Sequence, residues 1–159
     1  MKKLTIFFMA AALYCSCSKD DYVKVTFDKK TFFEQKQLWQ ASNTKDYEYQ
    51  FHANGFYGYW GTVTVENGNF KNYQSVLEFF PSSIPLHHST IDNIYSTIEE
   101  MFNTSNGAKK SDFYYTEISV QYDKTNHIPI KFVYEFYQSP NLAVDGNFHF
   151  EITDFKKLN

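Results

Sequence analysis

Residues 47–77 read YEYQFHANGFYGYWGTVTVENGNFKNYQSVL, and this stretch decides the fold. Apolar and polar residues alternate in runs along it, which is the period of half-buried β-strands. Asn-Gly pairs stand at 54–55 and 67–68. Such pairs favour two-residue hairpin turns because both residues tolerate a positive φ. The stretch therefore predicts three antiparallel strands that follow one another in the chain.

A helix is predicted on each side of these strands. Asp28 or Thr31 can cap the first helix, which runs to about Ala41. The second begins near Ser89 and Asp92, whose spacing is similar to a capping box. Its apolar residues recur every three or four positions and predict one buried stripe. The stripe consists of Ile91, Ile94, Tyr95, Ile98, Met101 and Phe102.

Three further strands are predicted near the end of the chain, over residues 114–122, 128–137 and 148–155. The element order is then α-β-β-β-α-β-β-β. This order predicts an α+β domain over residues 28–159, built on an antiparallel sheet. Two similar αβββ halves would give the same order, although no convincing sequence repeat relates them.

The start of the chain, MKKLTIFFMAAALYCSCSKDD, resembles a bacterial lipoprotein signal. Two lysines precede an apolar run at 4–13 that is too short to span a bilayer. Ser16, a small residue, leads into Cys17. We expect residues 1–16 to be removed and Cys17 to be lipidated. Residues 17–27 then form the lipidated N-terminus and a tether to the domain.

Two alternatives to lipidation at Cys17 remain. Cleavage before Cys15 would follow the bulky Tyr14, which is less suitable. An ordinary signal peptide would leave a soluble secreted protein. The charged segment 18–21, Ser-Lys-Asp-Asp, resembles the surface-export signal of Bacteroidota lipoproteins. The expected location is therefore the outer membrane of the cell envelope, on its periplasmic or its surface-exposed side.

The charge balance argues against a nucleic-acid partner. All 15 basic residues are lysines and the chain has no arginine. Removal of residues 1–16 leaves 13 lysines against 18 acidic side chains, a net charge of −5. Nucleic-acid binding needs a basic surface. Both cysteines also lie in the signal region, which excludes a disulfide scaffold or a cysteine-ligated metal in the domain.

No catalytic motif is present, so we predict a protein that is not an enzyme and has no cofactor or metal. The adjacent His87 and His88 lack a third ligand at suitable spacing. Asp123, between a strand and Pro129, fits an Asp that caps a turn through backbone N–H groups. A hydrolase remains an alternative if a cleft gathers Asp123 or the histidines.

The aromatic residues, 20% of the chain, give the best indication of a binding surface. Consecutive strand residues point to opposite faces, so rings in the segments 56–60 and 113–115 would occupy both faces. An exposed aromatic face suits glycan stacking or a protein partner. The candidate surface is Tyr57, Tyr59, Trp60, Tyr114 and Tyr115. Tyrosines that are simply half-buried are the alternative.

A set of residues over about 31–155 resembles the uncharacterised lipoprotein family called domain of unknown function 6174. The set is Trp39, Tyr47-x-Tyr49, Val63-x-Val65-x-x-Gly68, Ile91 to Phe102, and Val120-x-Tyr122-Asp123 with Pro129. Family members usually carry Gly-Tyr before that proline, where this chain has His127-Ile128. Glycine often supplies a positive φ, which leaves open how this turn forms. The resemblance implies an extracytoplasmic α+β domain and no established activity.

We therefore predict a lipid-anchored envelope domain that binds a protein or a surface polymer. An inhibitor-like module acting on a secreted or envelope enzyme is the alternative, by analogy of element order. A protruding loop over 81–88 would favour the inhibitor. A flat sheet lined by tyrosines would favour the binding platform.

Overall fold

The structure is a computed structural model that describes residues 22–54, 58–76, 81–109, 114–137 and 147–158. Two α-helices, α1 (Lys29–Ala41) and α2 (Ile91–Ser105), and a 3-10 helix (Leu86–His88) are formed in these ranges. The strands are β1 (Thr26–Phe27), β2 (Tyr47–Ala53), β3 (Tyr59–Glu66), β4 (Asn69–Ser75), β5 (Tyr114–Tyr122), β6 (Pro129–Tyr137) and β7 (Asn147–Lys157). The predicted signal peptide and Cys17 lie outside the described residues.

The seven strands form one sheet in the order β1-β5-β6-β7-β2-β3-β4. Every neighbouring pair is antiparallel except β1 and β5, which are parallel. The α+β class is confirmed, but the purely antiparallel sheet and the order α-β-β-β-α-β-β-β were wrong. The missed element is β1, which precedes α1. Two residues are too few to show a periodicity, and they form a strand only because β5 offers them a free edge.

The last strand lies in the middle of the sheet. β7 pairs with β6 on one side and with β2 on the other. It thereby joins the unit β5-β6-β7 to the unit β2-β3-β4. The hairpin predicted at Asn67-Gly68 is present, and both residues have the positive φ that a type I′ turn needs, at 52° and 75°. The second predicted turn, at 54–55, extends beyond the described residues.

Both helices pack on the same face of the sheet. Inward-facing residues of β2 and β3 alternate with outward ones, as Tyr47, Tyr49 and Phe51 show by being 1% exposed or less. The predicted stripe of α2 is buried at four of its six positions and lies in the same core cluster. The helix residues that are fully buried between the helices and the sheet are Phe32, Ile91, Ile94, Tyr95 and Ile98. The molecule is thus a two-layer domain with an aromatic-rich core.

Capping fixes where each helix begins. The Asp28 carboxylate accepts a hydrogen bond from the Thr31 N–H at 3.1 Å, as predicted for α1. For α2 the cap is Thr90, whose hydroxyl accepts from the Asn93 N–H at 3.1 Å. The predicted start near Ser89 was therefore one residue early. Of the described residues, none belongs to a helix long and apolar enough to cross a membrane.

The segment before α1 is part of the domain. Val23 and Val25 are 7% and 6% exposed, and the Val23 N–H donates to the Ala108 carbonyl at 2.9 Å. The Phe27 ring lies 5.2 Å from that of Phe32, between centroids. Residues 22–27, which the sequence assigned to the tether, thus lie against the fold.

Candidate functional site

The face of the sheet opposite the helices is polar and accessible. Its side chains come from strand positions that alternate with the buried ones. We call this surface the open face, and it comprises Glu48, Gln50, His52, Trp60, Thr62, Thr64, Lys131, Val133, His149, Glu151 and Thr153. Hydroxyl, amide, imidazole and charged groups predominate. Such a surface can offer many hydrogen bonds to one extended ligand.

Four side chains form a row across the open face. Strand register places Lys131 opposite Glu151, Glu151 opposite His52, and His52 opposite Trp60. The rings of His52 and Trp60 lie 5.7 Å apart, between centroids. Trp60 is 41% exposed, whereas nine of the aromatic residues that the structure describes are buried. The row therefore combines an accessible stacking ring with a charged pair two strands away.

The charged pair is well formed. Lys131 Nζ donates to Glu151 Oε1 at 2.8 Å. This hydrogen bond lowers the pKa of the Glu151 carboxyl, and the charges of Lys131, His149 and His52 lower it further. Glu151 is consequently ionised at neutral pH and satisfied by its lysine. A carboxylate in this state is suited to a fixed electrostatic role and poorly suited to taking up a proton.

Asn54 holds one end of this arrangement. Its side-chain nitrogen lies 2.8 Å from His149 Nε2, and its backbone N–H donates to the His149 carbonyl at 3.0 Å. The two residues are therefore joined through both their side chains and their backbones. The side chain of His149 is thus oriented next to Glu151.

The aromatic residues predicted to form a binding surface are not brought together where the structure describes them. Trp60 lies on the open face, and Tyr59, its neighbour in β3, packs against the core on the helix side. Tyr115 also packs there, with its ring 5.1 Å from that of Tyr134. Burial raises the pKa of the Tyr115 hydroxyl.

The other two predicted residues are less fully described. Tyr114 is the first residue of β5, where its backbone pairs with Tyr137. Tyr57 lies outside the described residues. Of the predicted surface, Trp60 alone is thus placed by its side chain on the open face.

Tyr115 lines a groove on the helix side. The groove lies between α2, the 3-10 helix and β5 and has a volume of about 340 Å³. Its walls are His87, Thr97, Glu100, Met101, Thr104, Ser105 and Tyr115. The Tyr115 N–H donates to Ser105 Oγ at 2.9 Å, which fixes α2 to the start of β5. The backbone of residue 115 makes this contact, whereas the Tyr115 ring packs on that of Tyr134.

The adjacent histidines differ in their surroundings. His87 is exposed, whereas the His88 ring lies 5.0 Å from Phe51 and 5.2 Å from Phe150, between centroids. In the described ranges, no three His, Cys, Asp or Glu side chains are placed to hold a metal ion. The His88 ring thus packs the 3-10 helix on the sheet, and His87 is exposed beside it.

Asp123 caps its turn, as predicted. Its carboxylate accepts from the backbone N–H groups of Thr125, at 2.9 Å, and Asn126, at 2.5 Å. His127, which precedes Ile128 and Pro129 in this turn, has a positive φ of 58°. Its Nδ1 lies 3.0 Å from Gln35 Oε1, and its carbonyl accepts from the Tyr95 hydroxyl at 2.6 Å.

The polar residues of the row were not predicted from the sequence. His52, Lys131 and Glu151 carry no motif and are far apart in the chain. They meet because β7 inserts between β6 and β2, and no local pattern predicts that insertion. The signal that could have been used is alternation, since each residue occupies an outward position next to at least one buried residue of its strand.

Comparison with known proteins gives one match. A family model described as "Family of unknown function (DUF6174)" matches residues 31–157. That range agrees with the resemblance drawn from the sequence and covers both helices and strands β2 to β7. No curated protein and no solved structure matches the chain.

Proposed function

We propose, from the premise that this chain belongs to the family of unknown function DUF6174, that it is a lipid-anchored binding domain of the cell envelope. Cys17 would carry the lipid, and the outer membrane would hold the protein on its periplasmic or surface-exposed side. In this proposal the domain is not an enzyme and uses no cofactor. The net charge of −5 in the mature chain speaks against a nucleic-acid ligand.

The observation that carries the proposal is Trp60 on the open face. Both helices pack on the other side of the sheet, so the exposed Trp60 ring is free to stack on a ligand. The groups around it are mainly hydrogen-bonding ones, including His52, Gln50 and Thr62. Large apolar patches mark many protein–protein interfaces, and the side chains around Trp60 are mostly polar. A glycan needs one or two rings for its C–H faces and polar groups for its hydroxyls, which is what this row offers.

The inhibitor-like alternative depends on a protruding loop over 81–88. In the described structure Ile84 is 6% exposed and the His88 ring packs between two phenylalanines. Leu86 projects from this loop at 75% exposed, and Ser82, Ser83 and His87 are exposed as well. The loop is therefore fixed to the domain at Ile84 and His88, and we favour the open face as the binding surface.

The test is glycan binding by the domain with and without the Trp60 ring. We expect Trp60→Ala to weaken binding at least about tenfold, equivalent to about 1.4 kcal/mol. The matched control is Phe70→Ala, because Phe70 is a similarly exposed ring, at 37%, on β4. Binding would be measured by glycan array and then by calorimetry, with circular dichroism to verify folding. Equal affinities for the two variants would contradict the proposal.

A further inference from the structure

The place where the chain joins the domain is fixed on one end of the sheet. Tyr22 forms a β-bridge with Lys109, and the Gly107 N–H donates to the Val23 carbonyl at 2.9 Å. Residues 107–109 follow the C-terminal end of α2. The chain then runs parallel to β5, so Tyr22 lies at the end of the sheet where β5 begins.

This attachment shortens the tether. If Cys17 is lipidated, as the proposed function requires, only residues 18–21 separate it from Tyr22. Five residue steps span at most about 18 Å even when fully extended. A flexible chain of this length would average about 12 Å. The domain therefore has little freedom to turn away from the lipid, whatever path these residues follow.

We infer that the end of the sheet bearing Tyr22 and Lys109 faces the membrane and that the open face stands beside the bilayer. This inference rests on the lipid anchor of the proposed function. The occupant of this end is the bilayer surface. Tyr22 is 61% exposed, and Lys24 and Lys109 are exposed next to it. An amphipathic ring and flexible lysines suit the headgroup region.

The orientation also places the two ends of the sheet at different heights. β5 has nine residues, which span about 30 Å in an extended strand. Lys109 lies near its start and Lys124 follows its end. The strands would therefore rise from the membrane, with the Asp123 turn and the 67–68 hairpin at the far end. A ligand could reach Trp60 from the side without displacing lipid.

Single-cysteine labelling of the anchored protein tests the orientation. The domain has no cysteine of its own, so Lys109→Cys and Lys124→Cys each give one labelling site. We expect a fluorophore at position 109 to be quenched by lipid-borne acceptors several-fold more than one at position 124. Equal or reversed quenching would overturn the orientation. Insertion of about twenty Gly-Ser residues before Tyr22 should reduce the difference, and an unchanged difference would contradict the role of the short tether.

Membrane sedimentation separates failure of the anchor from failure of the orientation. The wild-type chain should sediment with membranes, and Cys17→Ala should release it. If wild type stays in solution, the anchor and the orientation are both wrong. If wild type sediments and the two labels are quenched equally, the anchor stands and the orientation is wrong.

Discussion

His88 is held neutral by the residues that surround it. Its ring packs between Phe51 and Phe150, and its Nδ1 atom is buried. Burial, with a smaller effect from His87, lowers the pKa of His88 to about 3. In the unfolded chain the imidazole regains an ordinary pKa near 6.5. Between these two values the unfolded state binds the proton and the folded state does not.

The free energy of unfolding should therefore fall as the pH is lowered from about 6.5 towards 3. The sign follows because stability rises with pH wherever the unfolded state binds more protons, by at most about 1.4 kcal/mol per pH unit for one group. We expect His88→Asn to flatten this dependence, measured by urea denaturation at a series of pH values. The control is His87→Asn, which alters the exposed neighbour and should retain the slope. A His88→Asn slope equal to that of wild type would contradict the argument.

The Asp123 turn shows what a single residue reveals in a sequence. An Asp between a strand and a proline predicts a carboxylate that accepts backbone N–H groups, and both such bonds are present. The conformation of His127 was not predictable from its residue type, because histidine with a positive φ is uncommon. Its partners, Gln35 and Tyr95, are distant in the chain and become adjacent through tertiary packing.

At the scale of elements, the contact between β3 and β4 includes the Tyr73 ring, which packs over Gly61. Tyr73 of β4 is 7% exposed and covers Gly61 of β3. A Cβ atom added at Gly61 would lie 2.4 Å from the Gln74 carbonyl oxygen and 2.6 Å from the Tyr73 ring. The Gln74 carbonyl belongs to the backbone of β4, so it could move away from a Cβ atom only if the strand itself shifted. The glycine is thus required by the close approach of the two strands.

We predict that Gly61→Ala destabilises the domain by about 1–3 kcal/mol, the usual cost of overpacking. The measurement is the midpoint and slope of urea-induced unfolding. Thr62→Val, on the open face of the same strand, keeps a β-branched side chain and should change stability by less than about 0.5 kcal/mol. A Gly61→Ala domain as stable as wild type would show that the two strands are further apart than described.

Elements differed in how well the sequence revealed them. α2 was predicted well because four of its apolar positions recur at helical spacing and are fully buried. β5 was predicted with its observed bounds, Tyr114–Tyr122, because Ile118, Val120 and Tyr122 alternate with polar residues and two tyrosines precede them. By contrast β1 has two residues and depends on β5 for its pairing. Local periodicity can reveal long elements. It cannot reveal a two-residue strand that forms only by pairing with the edge of a distant strand.

The whole molecule is held together across the β7–β2 pair. The candidate site depends on this pair as well, since Glu151 and His52 meet there. Both halves of the chain had been predicted as strands and helices, yet nothing in either half specifies which strands become neighbours. That choice is made by the packing of two helices on one continuous sheet. The aromatic content of the sequence predicted a packed core. That Trp60 lies outside this core could be seen only from the pairing register of β2 and β3.

The boundary of the folded unit gives the last prediction. Val23 and Val25 are buried, the ring of Phe27 packs against those of Phe32 and Phe102, and β1 pairs with β5. Burying an aliphatic or aromatic side chain contributes about 1.5–3 kcal/mol. We therefore expect the chain 28–159 to be less stable than the chain 22–159 by at least about 3 kcal/mol, measured by urea unfolding.

Alternation within this segment supplies a matched pair of variants for the same prediction. Val23→Ser combined with Val25→Ser should reproduce most of the loss, because both side chains point into the core. Lys24→Ser combined with Thr26→Ser alters two exposed neighbours and should leave the unfolding midpoint nearly unchanged. Equal effects of the two pairs would contradict the inward packing of the valines. In that case residues 22–27 would not pack against the domain, and the flexible tether that follows Cys17 would be longer than four residues.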